Sequence, residues 1–571
     1  MTRSSSLPLM SLSLALGLAG CTMDGVVILE GFGDRGPELG DETGGFETGD
    51  AGDDDGQDSG LGDDALDLPD DGGALIERSC TVGRGLDAPL PCEVPPASSS
   101  LDPVVEWTWT GPDGEDSIVV TPLVANLDDD NSDGGVDLCD TPELLVLAVD
   151  LPASKSEPLP AGHIYILDTQ TGAPKRVFEH PLDATATPAL ADLDDDGEVE
   201  ILAFERSEDI LGSVGEHRVI AFEADGSVLW TSESWATAGG GGGLAIADLD
   251  ADGSPEILAP EQVLRADGSV LWASDGPATA NSLPVAADLD GDGLLEVLFG
   301  RSVYTLAGDT LELSFELELP AAAGKNTGVA AIANFDDDPE PEIYVHATNH
   351  RVFEHDGTFK VACGSGNVAG KDLPVSIADT DGDGRSEILA NIGSWFRATH
   401  ISTAGGQPTC QTLWSVKISD DTVGVGTAFD FLADGSAEAI YADLEWVRIF
   451  DEQGLPLAEI ERHARPSMAT PVVADADNDG AAELIIVGSE PEGGDGELVT
   501  RPSVLYIQNA DDRFAPTRRI WNQHAYHATN IREDATVPLM EPQHWLVGQN
   551  GFRTNPAPSY AGQLCQPPAI E

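Results

Sequence analysis

An acidic nonapeptide, Asp-x-Asp-x-Asp-Gly-x-x-Glu, recurs in this chain between short apolar runs and restricts its fold more than any other feature. Five copies match in full: Asp192, Asp194, Asp196, Gly197 and Glu200; Asp248, Asp250, Asp252, Gly253 and Glu256; Asp288, Asp290, Asp292, Gly293 and Glu296; Asp379, Asp381, Asp383, Gly384 and Glu387; Asp475, Asp477, Asp479, Gly480 and Glu483. Oxygen donors at positions one, three and five can wrap a hard cation. Glycine at six permits the sharp turn, and the acid at nine closes the shell. Five copies in register make calcium the predicted cofactor, with a metal-free solvated turn as the alternative for each loop.

Three further loops depart from the pattern. Asn334, Asp336, Asp338 and Glu342 keep the oxygen donors but place Pro339 at the turn position. The loop Asp430 to Glu438 has Leu432 in place of the second ligand, which predicts a weak or empty site. The first loop opens with Asn126, Asp128 and Asp130 and is expanded by an insertion carrying Cys139, so binding there requires altered spacing.

Each loop is preceded by a short apolar run, such as Thr187-Pro-Ala-Leu-Ala, and followed by another, such as Glu200-Ile-Leu-Ala-Phe. Next comes a hairpin signal, Asp-Gly between apolar runs, as at Asp225-Gly226 and Asp267-Gly268. Four short strands per unit, repeating every 40 to 60 residues or roughly so, fit a propeller blade. The loops begin at Asn126, Asp192, Asp248, Asp288, Asn334, Asp379, Asp430 and Asp475. The fold class is therefore all-β, a β-propeller of eight four-stranded blades, with seven as the rival count because of the irregular loops. A ring needs its ends to meet, or two sheet edges stay open. Val104-Val-Glu-Trp-Thr-Trp-Thr is expected to complete the last blade.

These loops stop at position nine between strands, whereas the EF-hand needs an acid at position twelve and flanking helices. In this they resemble FG-GAP repeats, as in the integrin α-subunit propeller, and bacterial VCBS repeats, over Val104 to Ala510. The resemblance implies structural calcium sites on one rim and a binding or adhesion role.

Residues 1–20 read as an export signal, and Leu18-Ala19-Gly20-Cys21 resembles the bacterial lipobox, which implies lipidation of Cys21 and a surface-exposed place on the outer membrane. Residues 21–78 follow as a tether. Between Glu30 and Arg78 it holds seventeen acidic and two basic residues, too polar to build a core. A cysteine-containing lead-in, 79–100, precedes the propeller at 101–510. The six cysteines after Cys21 suit disulfides in an exported chain, with the pairing left open and Cys80 to Cys92 the most local choice. A net charge of −75 argues against nucleic acid and for bound cations. The membrane is met through the lipid anchor alone.

The closing segment, 511–571, carries Trp521, Asn522, His524, His527 and His544. These read first as a hydrogen-bonded plug packed against the propeller, second as a candidate ligand surface, and last as metal-binding or acid–base histidines. The glycine run Gly239 to Gly243 reads as close backbone packing. The expected function is a binding or adhesion module for an extracellular glycan or protein. The alternative is a carbohydrate-active lyase or hydrolase on a calcium-stabilised propeller. No catalytic residue is assigned, and an enzyme is the less favoured reading.

Overall fold

The apolar runs around the acidic loops form eight antiparallel sheets, each contributing four strands to a ring, A innermost to D outermost. The computed structural model describes Ser98 and residues 100–556. Left out are 113, 133, 152–159, 207–214, 238–240, 276–281, 320–327, 337, 347–349, 364–372, 404–405, 419–423, 463, 465–467, 490–501 and 547–549. Cys21, the tether, Cys80, Cys92 and Cys565 thus lie outside the described residues. Among the described residues every regular element is a strand.

Blade 1 is Leu123–Ala125, Glu143–Val149, Gly162–Asp168 and Pro174–Leu182, with Ser117–Ile118 added beside its strand B. Blade 2 is Ala189–Ala191, Glu200–Phe204, Val219–Phe222 and Val228–Thr231. Blades 3 and 4 begin at Ala245 and Val285. Blade 5 is Val329–Ala333, Glu342–His346, Arg351–Glu354 and Phe359–Ala362. Blades 6 and 7 begin at Ser376 and Gly426, and blade 8 at Val472. Strands A and B are apolar on both faces because neighbouring blades cover both, so residues such as Ile201, Leu202, Ile485 and Ile486 are buried without alternation. The outer strands are half exposed, as at Val228, Leu313 and Leu457.

The count of eight and the expected closure are both observed. Pro103–Trp109 pairs antiparallel with Val504–Asn509 and supplies strand D of blade 8, from Pro103 opposite Asn509 to Trp109 opposite Val504. Trp107 stacks on Tyr506 with ring centroids 4.5 Å apart. The first and last segments of the ring thus cover each other's edge.

Two local devices repeat around the ring. In blades 1, 2, 3, 5 and 7 the C–D turn glycine lies under an aromatic ring from the preceding blade: a Cβ on Gly268, whose φ is +78°, would stand 2.4 Å from Trp230 Cε3. Strand D also carries a bulge against strand C, and the residue left unpaired there is Lys175, Leu229, Leu271, Ser314, Lys360, Leu413, Leu457 or Glu106 in blades 1 to 8. A disulfide between Cys363 and Cys410 ties the outer edges of blades 5 and 6.

Candidate metal centres and the C-terminal plug

Every acidic loop joins strand A to strand B, and its closing glutamate is the first residue of strand B. That glutamate accepts the backbone N–H of the loop's second residue in all eight blades. The distance is 2.7 Å for Leu193 to Glu200, 3.0 Å for Leu249 to Glu256, 2.9 Å for Leu289 to Glu296 and 2.9 Å for Thr380 to Glu387. It is 2.8 Å for Leu127 to Glu143, 2.6 Å for Phe335 to Glu342, 2.9 Å for Phe431 to Glu438 and 2.8 Å for Ala476 to Glu483. The first aspartate turns back on its own loop: Asp248 accepts the N–H of Asp252 at 3.1 Å and of Gly253 at 2.9 Å. This path needs left-handed backbone at positions four and six, found at Ala251 (56°) and Gly253 (88°), and again at Asn478 (60°) and Gly480 (93°).

The result is a set of converging carboxylates. Oxygens of Asp192, Asp194 and Glu200 lie within 4.8 Å of one another, as do those of Asp248, Asp250 and Glu256. Burial, reinforced by the neighbouring aspartates, pushes Glu200 up to about 8 and Glu256 and Glu296 up to about 7. Burial likewise pushes Glu387 up to about 7 and Asp475 up to about 8. In blade 8 two buried oxygens, Asp475 Oδ1 and Glu483 Oε1, have no hydrogen-bond partner. A buried carboxylate oxygen without a donor is costly, and a cation of calcium's oxygen preference fits it.

The irregular loops are built differently. In blade 5, Lys360 Nζ donates to Asp336 at 2.6 Å, to Glu354 at 2.9 Å and to Glu342, with the lysine side chain 4 % exposed. Asn334 Nδ2 donates to the Asp338 carbonyl. In blade 1, Lys175 Nζ donates to Asp128 and Glu143, both at 2.6 Å, and Arg176 reaches Asp128 at 2.9 Å. In both blades the lysine is the bulge residue of strand D. The expected calcium ligands Asn334, Asp336, Asp338 and Glu342, and likewise Asn126, Asp128 and Asp130, therefore surround or adjoin an ammonium that the chain itself supplies. Blade 7 keeps the path, with Asp434 and Gly435 donating to Asp430 at 3.0 and 2.8 Å. Its third position is Leu432, so it offers fewer oxygens.

Glu143 is absent from the residues expected on sequence grounds, because the insertion after Asp130 moves it away from position nine. Its signal was the following apolar run, Glu143-Leu-Leu-Val-Leu-Ala-Val, which matches Glu200-Ile-Leu-Ala-Phe.

The segment after blade 8 fills the ring centre as a plug. Trp521, Asn522 and Gln523 dock on blades 1, 2 and 3 in turn: Trp521 exchanges backbone hydrogen bonds with Val124 (2.9 and 3.0 Å), the Asn522 carbonyl accepts Leu190 N–H (2.9 Å), and Gln523 Oε1 accepts Ile246 N–H (2.6 Å). Gln543 donates to Asp288 of the blade 4 loop at 3.0 Å. Arg553 donates to the carbonyls of Ala330 in blade 5 (3.3 Å) and Val375, just before blade 6 (2.9 Å). Thr427 of blade 7 donates to the Arg553 carbonyl at 2.7 Å, and Asn555 donates to the Val473 carbonyl of blade 8 at 3.0 Å. All eight blades thus contact one segment. Trp521, Asn522, His524, His527 and His544 are each at most 4 % exposed, so they form the interior of this plug rather than a ligand surface. Gly243, the last glycine of its run, serves the same packing: a Cβ there would stand 2.5 Å from His524 Cδ2.

No protein-family model matches the chain, and no curated protein does. Among solved structures, the V. cholerae biofilm matrix protein Bap1 aligns with a TM-score of 0.61 and 19% identity, covering 80% of this chain and 99% of Bap1. The rhamnogalacturonan lyase YesW aligns with a TM-score of 0.45 and 15% identity over 85% of this chain and 84% of its own. At such identities the likeness to Bap1 extends to the fold alone: this chain is an eight-bladed β-propeller.

Proposed function

We propose that this chain is a calcium-stabilised propeller that serves as a binding or adhesion module for an extracellular glycan or protein. The observation that carries the calcium reading is the pair of unpartnered buried oxygens on Asp475 and Glu483, set in a loop whose pattern recurs in blades 2, 3, 4 and 6. In those five loops calcium would be held by the carboxylates at positions one, three, five and nine. It would supply there the positive charge that Lys175 and Lys360 supply in blades 1 and 5. The ions would act on structure, locking the A–B loops.

The plug engages the inner strands and the acidic-loop side, through Asp192, Asp475 and Asn334 backbone N–H groups among others. The B–C and D–A connections emerge on the opposite side, which is where a partner would dock. Supporting the adhesion reading, the fold neighbour Bap1 is a biofilm matrix protein. Export, lipidation at Cys21 and an outer-membrane location belong to the same proposal and rest on the sequence of residues 1–21.

Calorimetric calcium titration of the EDTA-stripped protein, paired with thermal melts, tests the first part. Five sites and a raised melting temperature are expected; absence of binding overturns it. Glycan-array and cell-adhesion assays of the calcium-loaded protein test the second. Saturable binding without product is expected, whereas polysaccharide turnover would replace adhesion by catalysis.

A further inference from the structure

The plug brings together three side chains that the acidic loops do not use. His527 and His544 pack with ring centroids 4.3 Å apart, and Glu541 stands against His527. One nitrogen or oxygen from each lies within 4.8 Å of the other two. His527 and His544 are 2 % and 1 % exposed.

The hydrogen bonds fix which nitrogens face inward. His527 Nδ1 lies 3.0 Å from the Ala525 carbonyl, and His544 Nε2 lies 3.0 Å from the Ile332 carbonyl in strand A of blade 5. A carbonyl only accepts, so both of these nitrogens carry their protons. His527 Nε2 then faces Glu541 Oε1 at 2.5 Å, a contact that needs one proton shared between them. His544 Nδ1 keeps a lone pair, is buried, and has no hydrogen-bond partner at all. Imidazoles held by backbone carbonyls through the far nitrogen, with the near nitrogen turned to a carboxylate in His527 and unpartnered in His544, are arranged as metal ligands are.

We propose that His527 Nε2, His544 Nδ1 and Glu541 form a binding site for a transition-metal ion of the zinc class. Two imidazoles and one carboxylate suit zinc, whereas calcium takes oxygen donors alone. The site is separate in chemistry from the acidic loops. An ion there would join Ala525–Asn530 to Glu541–Trp545 and pin both against blade 5, stapling the plug. Zinc–ligand distances of about 2.0 to 2.2 Å require the His527–Glu541 contact to open slightly as the proton leaves.

The rival is a protonated His527–Glu541 pair with His544 left unsatisfied. The full chain, saturated with calcium so that the acidic loops are occupied, is titrated with Co²⁺ as a visible probe and then with Zn²⁺. One Co²⁺ per chain with ligand-field bands, displaced by Zn²⁺, is expected. Glu541→Gln and His544→Gln should each weaken binding by at least about tenfold, while Glu312→Gln, on the exposed outer strand of blade 4, leaves it unchanged. Absence of bands, or binding untouched by both plug variants, overturns the site. Should both variants misfold, X-ray absorption of the zinc-loaded wild type decides: two imidazoles in the coordination shell support the site, and oxygen-only coordination overturns it.

Discussion

Lys175 Nζ lies 2.6 Å from Glu143 Oε1, the oxygen that closes the acidic loop of blade 1, and Lys360 meets Glu342 in the same way in blade 5. Both lysines are the unpaired bulge residue of strand D. In these two blades the bulge aims a lysine at the acidic loop, which thereby carries its own counter-charge; in blade 6 the bulge residue is Leu413, and His400 Nδ1 instead faces Glu387 Oε1 at 3.1 Å.

Replacing Lys360 by methionine leaves Asp336, Glu342 and Glu354 without their shared cation. Removing one partner of a buried pair costs about 3 kcal/mol. Chemical denaturation in EDTA should register that loss, and calcium should restore part of it in the variant while leaving the wild-type blade 5 unaffected. A variant as stable as the parent in EDTA would show that the ammonium contributes nothing.

Glu483→Gln should act with opposite sign in two conditions. Glu483 is held well above the usual carboxylate range by burial and by its neighbouring aspartates. The amide removes a buried acid that lacks a partner on Oε1, so the metal-free protein becomes more stable. The calcium-loaded protein loses one ion and becomes less stable. Melting curves with calcium and with EDTA, alongside calcium stoichiometry, check both signs.

Metal-free stability should fall as pH rises through neutrality. Glu200 and Asp475 are pushed up to about 8, and Glu256 up to about 7. Their folded values exceed the unfolded ones, so the stability they confer is complete below the unfolded values and is lost as pH rises through 7 to 8 or thereabouts. Above about pH 7, buried histidines such as His346 and His350 stay neutral in both states and do not offset the trend. A melting temperature in EDTA that is lower at about pH 8.5 than at about pH 7 is expected, with the difference abolished by calcium, which keeps the carboxylates ionised.

Gly268→Ala should destabilise by about 2 kcal/mol or more. It adds the cost of a left-handed alanine to a Cβ 2.4 Å from Trp230. Gly308→Ala, in the corresponding turn of blade 4 where φ is +65° and no atom lies within 4 Å of the added Cβ, serves as the control for the backbone cost in denaturant titrations.

Much of the architecture was legible from periodicity. The repeated loop and hairpin signals determined strand order within each blade, the count of eight, and the identity of Pro103–Trp109 as the closing strand, because each depends on patterns within one repeat or at its ends. The five regular loops were legible for the same reason: their converging carboxylates lie within nine residues. Tertiary structure decided what depends on residues far apart in the chain. Lys360 is eighteen residues beyond Glu342, and no spacing rule announces that a bulge turns its ammonium toward the loop. Glu143 regained its place only when strand B of blade 1 set its register. Trp521, Asn522, His524, His527 and His544 read first as a hydrogen-bonded plug and second as a ligand surface, and no spacing rule says which blades such a plug would meet. Eight inner strands, each offering unpaired backbone groups to the ring centre, are what bury them.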